Sequence, residues 1–187
     1  MENQRAKGSK IGRVAVERLC AGPAVPMIYA FMKEKYPQLE SNLEKRKHFD
    51  EIYSKDIIDM AIKERDPLCL KVVEKLTFNF GTETGNLGLS ALPFGGIYLI
   101  GGVTAGLKDY ILSKEGNEVF MAGFSDKGRL NQYMKDNFSV FLVDPSLEVG
   151  IDGAKEKARR EMKRIERAEL DKLMLGGKKG SFEFGKK

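Results

Sequence analysis

The stretch Pro93–Leu112, PFGGIYLIGGVTAGLKDYIL, constrains the fold more than any other part of the chain. Four apolar residues, Ile97 to Ile100, stand between two Gly-Gly pairs. Such a run suits a short strand covered on both faces. Gly101 and Gly102 then end the strand, and a helix follows that Thr104 is placed to cap. A glycine pair between strand and helix leaves bare backbone for a ligand to approach. The first N–H groups of the helix, around Val103 and Thr104, have no intrahelical partner, so a nucleotide or phosphate fits as guest. The same residues also make a plain tight turn in an α/β core, and the motif alone does not choose between the two.

Before this centre, Arg13–Val16 alternates briefly like a strand, and Glu17 follows it. An acid between an apolar strand and a glycine turn is either a surface charge or a hydrogen-bond acceptor facing a cleft. Gly22-Pro23 opens a new element, with Pro26 in its first turn. Val25, Ile28, Tyr29 and Phe31-Met32 give it an apolar face, and it ends before Pro37. The charged residues 38–53 form a connecting segment. Ser54 reads as the cap of a helix presenting Ile57, Ile58, Ala61 and Ile62. Asp66-Pro67 breaks that helix and caps a longer one, whose face is Cys69, Val72, Val73, Leu76 and Phe80. Gly81, Gly85 and Gly88 lie on one side of its continuation. Glycine weakens a helix by about 1 kcal/mol per position, so the side is expected to approach a sheet or a ligand closely.

Beyond the centre, two short helices are expected around Ser125–Gly128, then a second buried strand over Val140–Val143 that Asp144-Pro145 ends. Residues 149–154 lead into a long charged helix, with Asp152 at its positive end and a Glu156–Arg160 pair at i,i+4. Ala158, Met162, Ile165 and Leu173 form a narrow apolar stripe on it. The expected organisation is a flexible N-terminus (1–10), a lobe (11–154), a charged helix (155–175) and a basic flexible tail (176–187) in which Phe182 and Phe184 are docking aromatics.

Charge placement excludes some functions. The net charge is +5. Residues 151–187 hold 12 Lys/Arg and 7 Asp/Glu, which is +5, so residues 1–150 balance at 20 of each sign. The basic character belongs to the tail, and the tail mixes acids with its bases, so nucleic acid is not an expected partner. No apolar run has the length of a membrane span. Cys20 and Cys69 lack CxxC spacing and read as reduced thiols of an intracellular protein. One histidine, His48 in a charged segment, offers little to a metal.

Four segments, VAVERLCAGPAVPMIY (14–29), DPLCLKVVEKLTFNFGTETGNLGLSALPFGGIYLIGGV (66–103), FMAGFSDKGRL (120–130) and FSVFLVDPSLEVGIDGA (138–154), together resemble the C-terminal half of the bacterial-type glucokinase family, of the sugar-kinase and actin superfamily. The resemblance covers about residues 11–160. It implies an α/β fold, the C-terminal lobe of a ribonuclease H-like (actin-like ATPase) sugar kinase, here with a C-terminal helical extension. It implies ATP and Mg²⁺ as cofactors and glucose, phosphorylated at its 6-hydroxyl, as substrate. Glu17 lies where the family carries a carboxylate that hydrogen-bonds glucose. Gly101 and Gly102, with Val103 and Thr104, match the adenosine-side turn, and Gly22 matches the wall near the nucleotide.

The family's phosphate hairpins, its base-supplying Asn-Asp pair and its Gly-x-x-His sugar segment have no counterpart in these residues. Asp152 stands where the family usually has an apolar residue. No catalytic residue is therefore assigned, and the chain alone is expected to be inactive. Two roles follow as expectations. One is a non-catalytic structural subunit of a larger cytoplasmic, cytoskeletal, ciliary or mitochondrial assembly. The other is half of an ATP-dependent glucokinase that needs a complementary half.

Overall fold

The structure is a computed structural model describing residues 14–46, 48 and 51–176. The expected flexible N-terminus, the tail past Gly176 and Phe182 and Phe184 lie outside the described residues. The chain divides into two compact units, Met1–Pro145 and Ser146–Lys187.

The first unit is mostly helical and is organised around one long helix. In order its elements are α1 (Glu17–Cys20), α2 (Ala24–Lys35), α3 (Asn42–Arg46), α4 (Ser54–Glu64), α5 (Pro67–Ala91), β1 (Ile97–Leu99), α6 (Gly102–Leu112), α7 (Lys114–Ser125), a 3-10 turn at Gly128–Leu130, α8 (Asn131–Asn137) and β2 (Val140–Leu142). Helix α5 starts as its sequence dictates. Pro67 occupies the first turn, and the Asp66 carboxylate accepts the Cys69 amide at 3.0 Å. Cys69, Val72, Val73 and Leu76 are all buried, and α1, α2, α4 and α7 pack against this helix. Each such apolar side chain, moved out of water, contributes roughly 1.5–3 kcal/mol.

The glycine side of α5 meets another helix. A Cβ on Gly81 would strike the Phe120 carbonyl of α7, and one on Gly85 the Phe124 carbonyl. From the other side, a Cβ on Gly123 of α7 would strike the Phe78 carbonyl of α5. These glycines interlock the two backbones, where the sequence had pointed to a sheet or a ligand. Gly88 alone faces the sheet, with Ile97 Cδ1 3.3 Å from where its Cβ would stand.

β1 and β2 pair in parallel, with Ile97 opposite Val140, Tyr98 opposite Phe141 and Leu99 opposite Leu142. Helices α6 to α8 make the crossover, which gives the unit its α/β character. Leu99 is buried, whereas Tyr98 is 61% exposed and Phe141 46%. The sheet is therefore covered on one face, not on both as the apolar run suggested. Side chains alternate across a strand, and only the Ile97/Leu99 and Val140/Leu142 set meets the helices.

Other local expectations shift too. Residues 14–16 are not a strand: Val14 and Ala15 are irregular, and α1 begins at Glu17. Ser54 is the first residue of α4, not its cap, and its hydroxyl donates to the Gly22 carbonyl at 2.7 Å. The Asp56 carboxylate instead accepts the Tyr53 amide at 2.9 Å, closing that helix start.

In the second unit α9 spans Val149–Gly176, so residues 149–154 are its first turns. Glu156 joins Arg160 at 2.7 Å and also Arg159 at 2.8 Å. These guanidinium hydrogen bonds lower the Glu156 pKa. Met162, Ile165 and Leu173 are exposed along the helix.

Candidate functional site

Four of the sequence-predicted site residues are brought together by one turn. β1 ends at Leu99, Ile100 leaves it, and Gly101 precedes α6 with φ 100° and ψ −179°. That conformation is open essentially to glycine alone. Gly101 and Gly102 are exposed, and a Cβ on either would meet nothing within 4 Å. Gly102, Val103 and Thr104 are the first helical residues, and the Ala105 amide is the first to find its carbonyl, that of Gly101, at 3.0 Å. Their three amides thus lie in the turn that intrahelical bonding leaves open.

Thr104 does not cap the helix. Its side chain is buried, and its hydroxyl donates back to the Ile100 carbonyl at 3.3 Å. Glycine at the cap position supplies no side-chain acceptor. What the turn offers is bare amides, the positive end of the α6 dipole and no carboxylate.

Gly22 sits in the turn between α1 and α2, with open space where a Cβ would be. The Ser54 hydroxyl ties its carbonyl to the start of α4, and α4 in turn meets α6, where Ile58 Cδ1 lies 3.6 Å from the Cβ position of Gly106. Glu17 is separate from the turn in sequence and element. It opens α1, is exposed, and its carboxylate forms no hydrogen bond or ion pair with the described residues. The α1 backbone is held by Asn79 of α5, whose amide donates to the Leu19 carbonyl at 3.0 Å.

The sequence reading missed a buried polar cluster beside the α5 start. Asp66, 2% exposed, accepts from the Ser41 hydroxyl at 3.2 Å and the Asn42 amide at 2.8 Å as well as from Cys69. Burial and the neighbouring carboxylate push the Cys69 thiol up to about 12. Asp66 announced itself as a cap. Its long-range partners carried no signal, because Ser41 and Asn42 sit in a connecting segment without periodicity. The cluster closes the α3–α5 corner, with Ser41, Asp66 and Cys69 buried and Asn42 exposed at its edge. Among the described residues, no group of three or more His, Cys, Asp or Glu is placed to hold a metal ion.

A parallel strand running through a glycine turn into a helix places the unit in the α/β class. Comparison with known proteins narrows this class. The glucokinase family model matches residues 4–161, and the chain belongs to that family. Glucokinase of Synechocystis sp. is 34% identical over 139 residues, which are 68% of this chain and 38% of that protein. Glucokinase of Nostoc punctiforme is 29% identical over 155 residues, 77% of this chain and 44% of that protein. Glucokinase of Cronobacter sakazakii is 29% identical over 135 residues, 72% and 38% respectively. The chain thus spans less than half the length of these relatives.

Proposed function

We propose that the chain is the nucleotide-side lobe of a glucokinase-family protein and acts as a non-catalytic interaction subunit of a larger protein assembly. The observation that carries this reading is the open sheet. Parallel sheets are normally covered on both faces, and a two-stranded sheet is marginal alone. Here Tyr98 and Phe141 stack in the open, with ring centroids 5.1 Å apart. Exposed apolar surface of this kind marks a protein contact. The assembly is expected to be intracellular: cytoplasmic, cytoskeletal, ciliary or mitochondrial. The test is purification of the chain from its own cell, with mass measured by light scattering. A stable complex with a second polypeptide is expected, together with no glucose 6-phosphate from the isolated chain, ATP, Mg²⁺ and glucose. A monomer without a partner, or unaided glucose phosphorylation, sinks the reading.

A second reading, half of an ATP-dependent glucokinase, is favoured by the Gly101-Gly102 turn, whose backbone stays open to approach. On this reading Gly101, Gly102, Val103 and Thr104 hold the adenosine side of ATP, Gly22 lines the wall beside it, and Glu17 accepts a hydrogen bond from glucose. ATP, when bound, supplies the phosphoryl group. The turn fits the nucleotide but offers Mg²⁺ no ligand. Transfer depends on positioning and on stabilising charge at the γ-phosphate, so a complementary half must bring those groups. Calorimetry separates the two readings: ATP binding by the chain, with glucose binding lost in Glu17→Ala, supports the second.

A further inference from the structure

The family match ends at residue 161, yet α9 continues to Gly176. At 3.6 residues per turn, Ile151, Ala154, Ala158, Met162, Ile165 and Leu173 fall within about 100° of the helix surface. Met162, Ile165 and Leu173 are 62%, 49% and 75% exposed. The other faces are mostly charged. A stripe this narrow on a charged helix suits the seam of a helix pair.

The stripe changes along its length. Before Met162 it is small, with Ala154 and Ala158, and after Met162 it is large, with Ile165 and Leu173. Its charges are graded in the same way. One edge carries Lys155 and Arg159 before Met162, then Glu166 and Glu169 after it. Glu169 stands in line with Ile151, within the stripe itself. A carboxylate at a helix seam takes a cation from the facing helix. Within one helix Lys155 and Glu169 are separated by about 21 Å of rise, too far to meet.

We propose that α9 pairs with α9 of a second copy of this chain, antiparallel and centred on Met162. The pairing is independent of the role proposed for the first unit. Lys155 and Glu169 are each seven residues from Met162, so turning one helix over sets Lys155 level with Glu169 of the second copy. Arg159 and Glu166 of the second copy come within one residue of level on the same edge. Ile165 falls beside Ala158 of the second copy, so a large side chain fills the space a small one leaves. A parallel pair does the reverse. Lys155 would face Lys155, Glu169 would face Glu169, and the alanines would face each other across a gap. Lys155 and Arg159 bond Asp152 and Glu156 of their own helix at 3.2 and 2.8 Å. Exposed pairs of this kind hold weakly and yield to a better partner.

The test uses the full chain. Sedimentation equilibrium should give twice the 21.0 kDa chain mass at high protein concentration, with dissociation on dilution. Ile165→Glu should weaken association at least tenfold and leave the urea midpoint unchanged. Lys155→Glu and Glu169→Lys should each weaken it at least tenfold as well, and the double variant should recover it. Circular dichroism should report the same helix content for all of them. Recovery can come only from residues of different copies, because one helix holds the two side chains apart. A monomer at every concentration overturns the proposal; a lowered urea midpoint in Ile165→Glu would then place the stripe against the chain's own surface. A dimer that Tyr98→Lys dissolves and Ile165→Glu does not lies on the exposed sheet, and overturns the interface. A dimer that Ile165→Glu dissolves but the double variant fails to restore overturns the antiparallel pairing.

Discussion

Glycine does opposite work in two regions of the first unit. Along the α5–α7 seam, Gly81, Gly85 and Gly123 stand where any side chain would collide with a carbonyl of the facing helix. There the missing Cβ is consumed by packing: two backbones touch, and the glycine hydrogens face carbonyl oxygens in weak contacts worth ~0.5–1 kcal/mol each. At the β1–α6 turn, Gly101 and Gly102 face open space. There the missing Cβ is not needed for packing among the described residues. One glycine is required by its backbone angle, and the other is required by nothing within the described residues. A glycine whose vacancy is filled explains stability, whereas a glycine whose vacancy is left open leaves its purpose outside the fold.

The strongest attack on this contrast is at the seam. Gly85→Ala and Gly123→Ala each place a methyl against rigid backbone. Alanine gains about 1 kcal/mol of helix propensity over glycine. Overpacking costs about 3 kcal/mol or more when backbones must part. The collision should win, leaving a net loss of about 2 kcal/mol or more in urea unfolding. An unchanged midpoint would mean that α5 and α7 do not interlock.

Next in size is Gly101→Ala. Nothing obstructs the methyl, so only the backbone conformation opposes it. At φ 100° and ψ −179° the strain should cost about 1–3 kcal/mol. A Gly101→Ala protein as stable as wild type would show that the turn relaxes freely, and the distinction between the two glycines of the pair would fail.

The closed region also has a pH signature. Cys69, at the start of α5, has its thiol pushed from the ordinary 9.0 to about 12, first by burial and then by Asp66. Burial likewise raises Tyr110, on α6, to about 12. For both groups the folded state holds its proton above the pH at which the unfolded chain releases it. Their contribution is complete below about pH 9 and is lost as pH climbs toward 12. The urea midpoint should therefore fall steadily between those limits, and less steeply in Cys69→Ala. Equal slopes would assign the alkaline loss to other groups. Iodoacetamide at pH 8 should meanwhile leave Cys69 unmodified in the folded protein.

What the sequence disclosed follows the range of the forces involved. Asp66-Pro67 and the apolar spacing after it locate the start and the buried face of α5, because caps and periodicity are local. The Ile97 run located β1 within one residue for the same reason. Partners were harder to read. Three glycines on one helical side signal close approach but do not name the neighbour, which is α7 for Gly81 and Gly85 and the sheet for Gly88 alone. The apolar run of β1 signals burial on both faces, yet the described residues cover only one. That misreading is informative, since an apolar strand is written for the sheet it joins. Thr104 looked like a cap because threonine favours that position, but the glycines ahead of it moved the helix start back by a turn's first residues. Family membership was legible from four ordered segments, whereas the role of Glu17 was not, since an exposed carboxylate looks the same before and after folding.

The smallest expected change is the most discriminating. Gly102 is the first residue of α6, has ordinary backbone angles and has nothing within 4 Å of its absent Cβ. Folding alone gives no reason for glycine there. Alanine should be neutral or stabilise by up to about 1 kcal/mol, since helix propensity favours it and no contact opposes it. If a nucleotide approaches the turn closely, the same methyl stands in its path. Gly102→Ala should then keep or raise the melting temperature while ATP affinity measured by calorimetry falls at least tenfold. Loss of binding without loss of stability is a pattern that a merely structural turn cannot produce. Unchanged affinity would return Gly102 to the role of an ordinary linker, and would leave the exposed sheet as the surface on which the proposed role rests.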